Sequence, residues 1–218
     1  MKVELSPYTP SWRTDFERHR TIIESALSGC RPTIDHIGST SLGDIAAKPI
    51  IDILVGLTGG QTLDTAVEPM GRAGYTHIEK FNAGMPYRRF FVKLVPLREI
   101  PLPTVIGMDD VLAFGRDYNS VANIHVMTRG THHWMRHIAF RDYLRAHPEV
   151  RQAYQALKRR IAAMDFSDPL EYNAYKEDFI ATHQEIAVAW YGRLQATGKG
   201  VADADGPASG NDGRRIPD

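Results

Sequence analysis

The sequence predicts an α+β fold: a mixed β-sheet with flanking helices and a C-terminal helical bundle. Three observations predict it. The run Pro49–Leu57 (PIIDILVGL) is apolar and β-branched, the pattern of a strand buried on both faces. Shorter strand-like segments precede and follow it. From Thr131 onward the apolar residues recur at three- and four-residue spacing, the helical period. With 218 residues the chain can fill one α/β domain, or such a domain plus a helical appendage. The expected division is an α/β core over 1–130, a helical region packed on it over 131–195, and a disordered tail over 196–218.

Taken in order, Val3–Leu5 reads as a strand. A helix follows from Pro10, with Thr9 as its cap and Pro10 in the first helical position. Trp12, Phe16, His19, Ile23 and Leu27 give it one apolar face, and Gly29 can end it. Thr33–Ile37 is a short strand running into the turn Gly38–Ser41. Leu42–Ala47 is a short helix or turn. Gln61–Ala73 fits a helix. Tyr75–Glu79 and Arg88–Val95 are strands, joined as a hairpin across Phe81–Tyr87. Pro96–Ser120 holds three prolines and the pair Asp109-Asp110, and reads as a long irregular insertion with room for a short helix. Val121–Met127 closes the sheet. Pro148 and Pro169 mark first helical turns. The stripes Val150, Tyr154, Leu157, Ile161 and Tyr172, Tyr175, Phe179, His183, Ile186, Trp190 read as core faces. Residues 198–218 (GKGVADADGPASGNDGRRIPD) are too poor in large apolar side chains to offset their ordering entropy.

Lys+Arg and Asp+Glu both number 26, for a formal net charge of zero. That argues against a nucleic-acid-coating surface and leaves room for a local basic cleft. The lone cysteine, Cys30, excludes an internal disulfide and a Cys-rich zinc site, and reads as a small semi-buried residue. The N-terminus lacks the apolar run of a signal peptide, and no stretch approaches the roughly 20 apolar residues of a membrane span. A cytoplasmic protein with no membrane partner is expected.

Chemistry concentrates between Asp35 and Leu54. A strand runs into Gly38-Ser39-Thr40-Ser41, then through Lys48 into a strand interrupted by a single charge, Asp52. A Gly-Ser turn lets backbone approach a phosphate without a Cβ clash, and its hydroxyls and amides can hold phosphate oxygens. A carboxylate on the adjacent strand can hold a divalent cation, and Lys48 can neutralise further phosphate charge. The plainer reading of Asp52 is an acceptor for neighbouring backbone or for Lys48. His36 and His125 can serve as metal ligands or acid-base groups, or as hydrogen-bonded histidines at strand ends. Arg89 and Lys93 share one side of their strand and Arg88 the other, so Arg89 and Lys93 either clamp an anion or form a solvated face. His132, His133 and His137 have a spacing that can bind metal, but their aromatic surroundings favour a structural role.

The strings His36–Ser41 (HIGSTS) and Ala47–Ile53 (AKPIIDI) closely resemble the signature of the GrpB family. The resemblance continues through Tyr87–Lys93 (YRRFFVK), Asn123–Val126 (NIHV), Trp134, Arg136-His137, Phe140–Leu144 (FRDYL) and His147-Pro148, covering roughly residues 1 to 190. It implies a nucleotidyltransferase-like fold, in which a Gly-Ser turn precedes a strand with alternating acidic residues and two divalent metals assist transfer of a nucleoside monophosphate. Gly38, Ser39 and Asp52 match that pattern. The partner carboxylate would lie at residue 50 or 54, where this chain has Ile50 and Leu54, and a later strand offers His125 in place of a third acid. The expected activity is therefore nucleotidyl or phosphoryl transfer using Mg²⁺ or Mn²⁺ held by Asp52 and His125. Gly38, Ser39, Thr40, Ser41, Arg89 and Lys93 would hold a nucleotide or phosphorylated small molecule, and Asp52, His36 and Lys48 would act in catalysis. The alternative is a noncatalytic ligand- or partner-binding module. The family's occurrence fused to an enzyme of coenzyme A synthesis points toward that second role.

Overall fold

A computed structural model describes residues 3–166 and 174–197. One six-stranded mixed sheet forms the centre, in the order β1-β2-β6-β4-β3-β5. The strands are β1 (Thr33–Ile37), β2 (Ile51–Leu57), β3 (Thr76–Ile78), β4 (Arg88–Pro96), β5 (Val105–Ile106) and β6 (Tyr118–Thr128). The helices are α1 (Ser11–Ala26), α2 (Val67–Arg72), α3 (His132–Ala146), α4 (Pro148–Ala162) and α5 (Glu177–Ala196). The α+β arrangement expected from the sequence is the one observed.

β2 explains the layering. It lies between β1 and β6, antiparallel to the first and parallel to the second. Ile51, Ile53, Val55 and Leu57 point to one face, where Trp12, Phe16 and Ile23 of α1 and Met70 of α2 cover them. Leu54 points to the other, against Met127 and Ile138 of α3. Each such aliphatic side chain removed from water stabilises the fold by about 1.5–3 kcal/mol. Covered on both sides, β2 reads as a continuous apolar run with one exception, Asp52.

On the second face α3, α4 and α5 pack together. Thr131 caps α3, its hydroxyl accepting from the Trp134 amide at 3.4 Å, and Pro148 occupies the first turn of α4. Phe140, Leu144, Tyr154, Phe179 and Ile180 join these helices to Leu42 and Ile45 of the segment between β1 and β2.

Several expectations change. Val3–Leu5 forms no strand; Val3 instead buries against Ile161 and Phe166, and the local pairing is a single bridge between Ser6 and Ala47. Gln61–Ala73 splits into a 3-10 turn, Leu63–Ala66, and the short α2. The Pro96–Ser120 insertion is partly sheet: β5 pairs with β3, and Ile106, Ala113 and Tyr118 close a small core with Ile78, Val92 and Leu94. It occupies the sheet edge opposite β1. Pro169 and the expected tail from 198 onward lie outside the described residues. Among the described residues no helix is long and apolar enough to cross a membrane.

Candidate functional site

Strand register builds the site. In the β1–β2 pair Ile37 stands opposite Asp52, so the turn leaving β1 at Gly38 runs beside the Asp52 side chain. Gly38 has φ 69° and ψ −173°, a conformation open to glycine and strained for other residues. A β-carbon at position 38 would also overlap the Asp52 carboxyl. The turn is held from within by Ser41, whose hydroxyl donates to the Gly38 carbonyl at 2.7 Å. It is held from the first face by His36, whose Nε2 lies 2.9 Å from Thr40 Oγ1 and whose ring stacks on Phe16.

A cavity of about 270 Å³ opens in front of this turn. Gly38, Ser39, Asp52 and His125 form its sheet side; His137 and Arg141 of α3, Tyr154 of α4, Lys176, and Gln184 of α5 close it. Asp52 accepts a hydrogen bond from Asn123 Nδ2 at 3.0 Å. Burial raises its pKa, opposed by that hydrogen bond and by the Lys176 charge. Lys176 is lowered to about 8, by burial first and by the Lys48 charge second, with Asp52 pulling the other way. Burial also lowers Lys48. The Tyr154 side chain hydrogen-bonds Ser39, and burial pushes its phenol up to about 12. Asp52 and the Lys176 ammonium thus share a small space with an anion-compatible turn. A larger hollow of about 560 Å³ lies elsewhere, beside Thr33, Asp35 and Trp134. In its wall Arg141 pairs with Asp35 at 3.0 Å and with Asp142 at 2.7 Å.

The structure brings Gly38, Ser39, Asp52 and His125 together in one cavity wall, and the Lys48 charge reaches Lys176, which also lines it. It does not bring the rest. His36 sits on the opposite face of the sheet, buried between Phe16 and Thr40. Thr40 is buried, and Ser41 is engaged with Gly38 and, through its carbonyl, with Arg145 at 2.8 Å. Arg89 and Lys93 do share a side, but the wrong one for a clamp: Arg89 is level with Val126 and Lys93 with Ala122, on the α1 face. Arg89 pairs with Asp64, and Lys93 donates to the Gly74 carbonyl at 2.9 Å. Arg88, on the other parity, is the one facing the helical bundle.

The residues around Asp52 do not fit the expected two-metal centre. Its neighbours on the same face are Ile37, Leu54 and Asn123, which supply one amide and no second anion. Asn123, not His125, is the residue level with Asp52 on β6. Arg88 Nη1 lies 3.1 Å from His125 Nδ1. A guanidinium can only donate, so Nδ1 accepts and the imidazole proton sits on Nε2, which removes both nitrogens as metal donors. Among the described residues no three His, Cys, Asp or Glu side chains are grouped to hold a metal ion. Two cations a few ångströms apart require several anionic ligands.

The GrpB protein family model matches residues 2–185. The chain belongs to the GrpB family. It is 31% identical over 198 residues to the UPF0157 protein YqkA of Bacillus subtilis, covering 90% of this chain and 51% of that one. This chain thus spans about half the length of YqkA. A UPF0157 protein of Deinococcus radiodurans is 33% identical over 177 residues, covering 81% of this chain and 78% of that one. The crystal structure of GrpB from Enterococcus faecalis matches with a TM-score of 0.68 and 27% identity, covering 86% of this chain and 99% of that one.

For this GrpB-family chain, sequence reasoning missed Asn123 and Lys176, read Tyr154 and His137 as structural, and set Arg88 on the side away from Arg89 and Lys93. Asn123 and Arg88 carried a usable signal, since both lie inside motifs that define the resemblance. Tyr154 was read as a core residue, which it is, while its hydroxyl also reaches Ser39. Nothing local marks Lys176, which lies 124 positions after Asp52.

Proposed function

We propose that the chain binds a nucleotide or another phosphorylated small molecule in the cavity between the Gly38-Ser39 turn and the C-terminal helices, as a binding module and not as a two-metal nucleotidyltransferase. The observation that carries this reading is the company Asp52 keeps: Gly38, Asn123 and Lys176, with no second carboxylate in the cavity among the described residues. The turn offers backbone that a phosphate can approach, and Ser39 and Tyr154 offer hydroxyls. The ammonium of Lys176, with that of Lys48 near it, supplies positive charge that a divalent ion would supply in a metal enzyme. Burial that raises Asp52 favours its protonated form, which tolerates an anion beside it.

Calorimetric titration with each nucleoside triphosphate in EDTA tests the reading. A saturable heat without metal is expected, together with no pyrophosphate release when Mg²⁺ or Mn²⁺ is added. Asp52→Asn is expected to stay folded and to bind. Pyrophosphate release that needs the metal and vanishes in Asp52→Asn would establish the enzymatic reading instead. No binding by any triphosphate, with or without metal, would dismiss the cavity as a nucleotide site.

A further inference from the structure

Next to the Asp52 cavity the protein gathers basic groups. Arg88 of β4 lies against His125 of β6, as above, and the His125 and His137 rings stand 5.6 Å apart, centroid to centroid. Arg136 comes from the same α3 turn as His137. The charged groups acting on the two imidazoles are Arg88, Arg136, His133 and each other, all basic. Arg88 Nε, Arg136 Nε and His137 Nε2 are buried and have no hydrogen-bond partner. His125 adds a fourth polar position, the Nε2–H fixed by the Arg88 contact. Among the described residues no carboxylate pairs with Arg88 or Arg136.

This is a costly arrangement. Buried guanidinium Nε–H groups without acceptors work against folding. An anion with several oxygen acceptors is the kind of species that offsets such costs. His125 and His137 also line the cavity that holds Asp52 and Ser39. His125 stands two residues beyond Asn123 along β6, which places it about 7 Å past the level of Asp52.

We propose that Arg88, His125, His137 and Arg136 form a phosphate-binding subsite at the far side of the cavity, separate from the Gly38-Ser39 turn. It follows that the ligand carries two anionic groups, one at Ser39 and Lys176 and a phosphate at this subsite. The inference rests on the reading that the cavity takes a phosphorylated ligand, and its test is separable from the test of that reading.

The probe is inorganic phosphate, titrated into the full chain, with the histidine ring ¹H–¹⁵N signals and calorimetry as readouts. Phosphate is expected to shift the His125 and His137 ring signals, assigned through single His→Gln variants, and to leave those of His19 unmoved. Arg88→Gln and Arg136→Gln, each checked for folding by circular dichroism, are expected to weaken phosphate roughly tenfold or more, and Arg88→Lys less. A nucleoside triphosphate is expected to shift the same two rings and to compete with phosphate, while the unphosphorylated nucleoside does neither. If phosphate leaves both rings unmoved, or if both arginine variants bind it as the wild type does, the subsite is refuted, whatever a triphosphate does at Ser39. If phosphate moves the rings and no triphosphate binds, the nucleotide reading falls and the subsite holds a free phosphate.

Discussion

Asp52 is pressed against Gly38. The β1–β2 register sets Ile37 opposite Asp52, and the chain turns at Gly38 across the carboxyl with no space for a β-carbon. The backbone there has φ 69°, so a side chain would be strained even without Asp52.

Gly38→Ala therefore meets two separable penalties. It is expected to destabilise the protein by about 1–3 kcal/mol from the backbone alone, with more from the overlap. Urea unfolding of Gly38→Ala, Asp52→Ala and the double variant reads this. The double variant should recover part of the loss, because removing the carboxyl relieves the overlap and not the backbone strain. Strict additivity of the two single changes would show that the residues do not touch.

Arg89 and Lys176 are expected to behave oppositely. Arg89 lies on the α1 face and pairs with Asp64, whose side chain is 64% exposed. Arg89→Gln should cost about 1 kcal/mol or less and leave triphosphate affinity within twofold. Lys176→Met should weaken triphosphate binding roughly tenfold or more while the protein stays folded. Calorimetry on the two variants decides; a loss of affinity in Arg89→Gln alone would place the ligand on the other side of the sheet.

Lys158 gives a pH signature. Its ammonium is buried under Tyr154, donates to the Ala46 carbonyl at 2.6 Å, and is lowered from 10.5 to about 7, chiefly by burial. Between those values the unfolded chain binds more protons than the folded one, so this residue makes stability rise with pH from about 7 toward 10.5. Chemical unfolding of wild type and Lys158→Met at pH 7 and pH 9 should show the wild type gaining stability relative to the variant. A constant difference between the two proteins would remove the effect.

Much of the site was legible. Thr33–Ile37 and the strand ending at Leu57 follow from apolar alternation and β-branching, and Gly38-Ser39 with Asp52 follows from turn chemistry beside a lone buried charge. The errors have two causes. Alternation says that Arg89 and Lys93 are on one side of β4 and Arg88 on the other, but it does not say which side carries Asp52. Pairing decides that: Phe90 is level with His125, and Arg89 with Val126. His125 and Asn123 lie two residues apart on the same face, so alternation does not choose between them; the β2–β6 register sets Asn123 beside Asp52.

By itself the sequence determined the family, the mixed sheet with its helical C-terminal part, and the turn-and-carboxyl pair, because periodicity and turn chemistry act over a few residues. Only the tertiary structure decided that Arg88 faces the bundle, that Asp52 rests on Asn123, and that Tyr154 and Lys176 close the cavity. Side chains alternate with a period of two along a strand, so a one-residue change in pairing exchanges the faces. Helix α4, which supplies Tyr154, and the segment that carries Lys176 are brought to Asp52 by packing, across separations that no local pattern records.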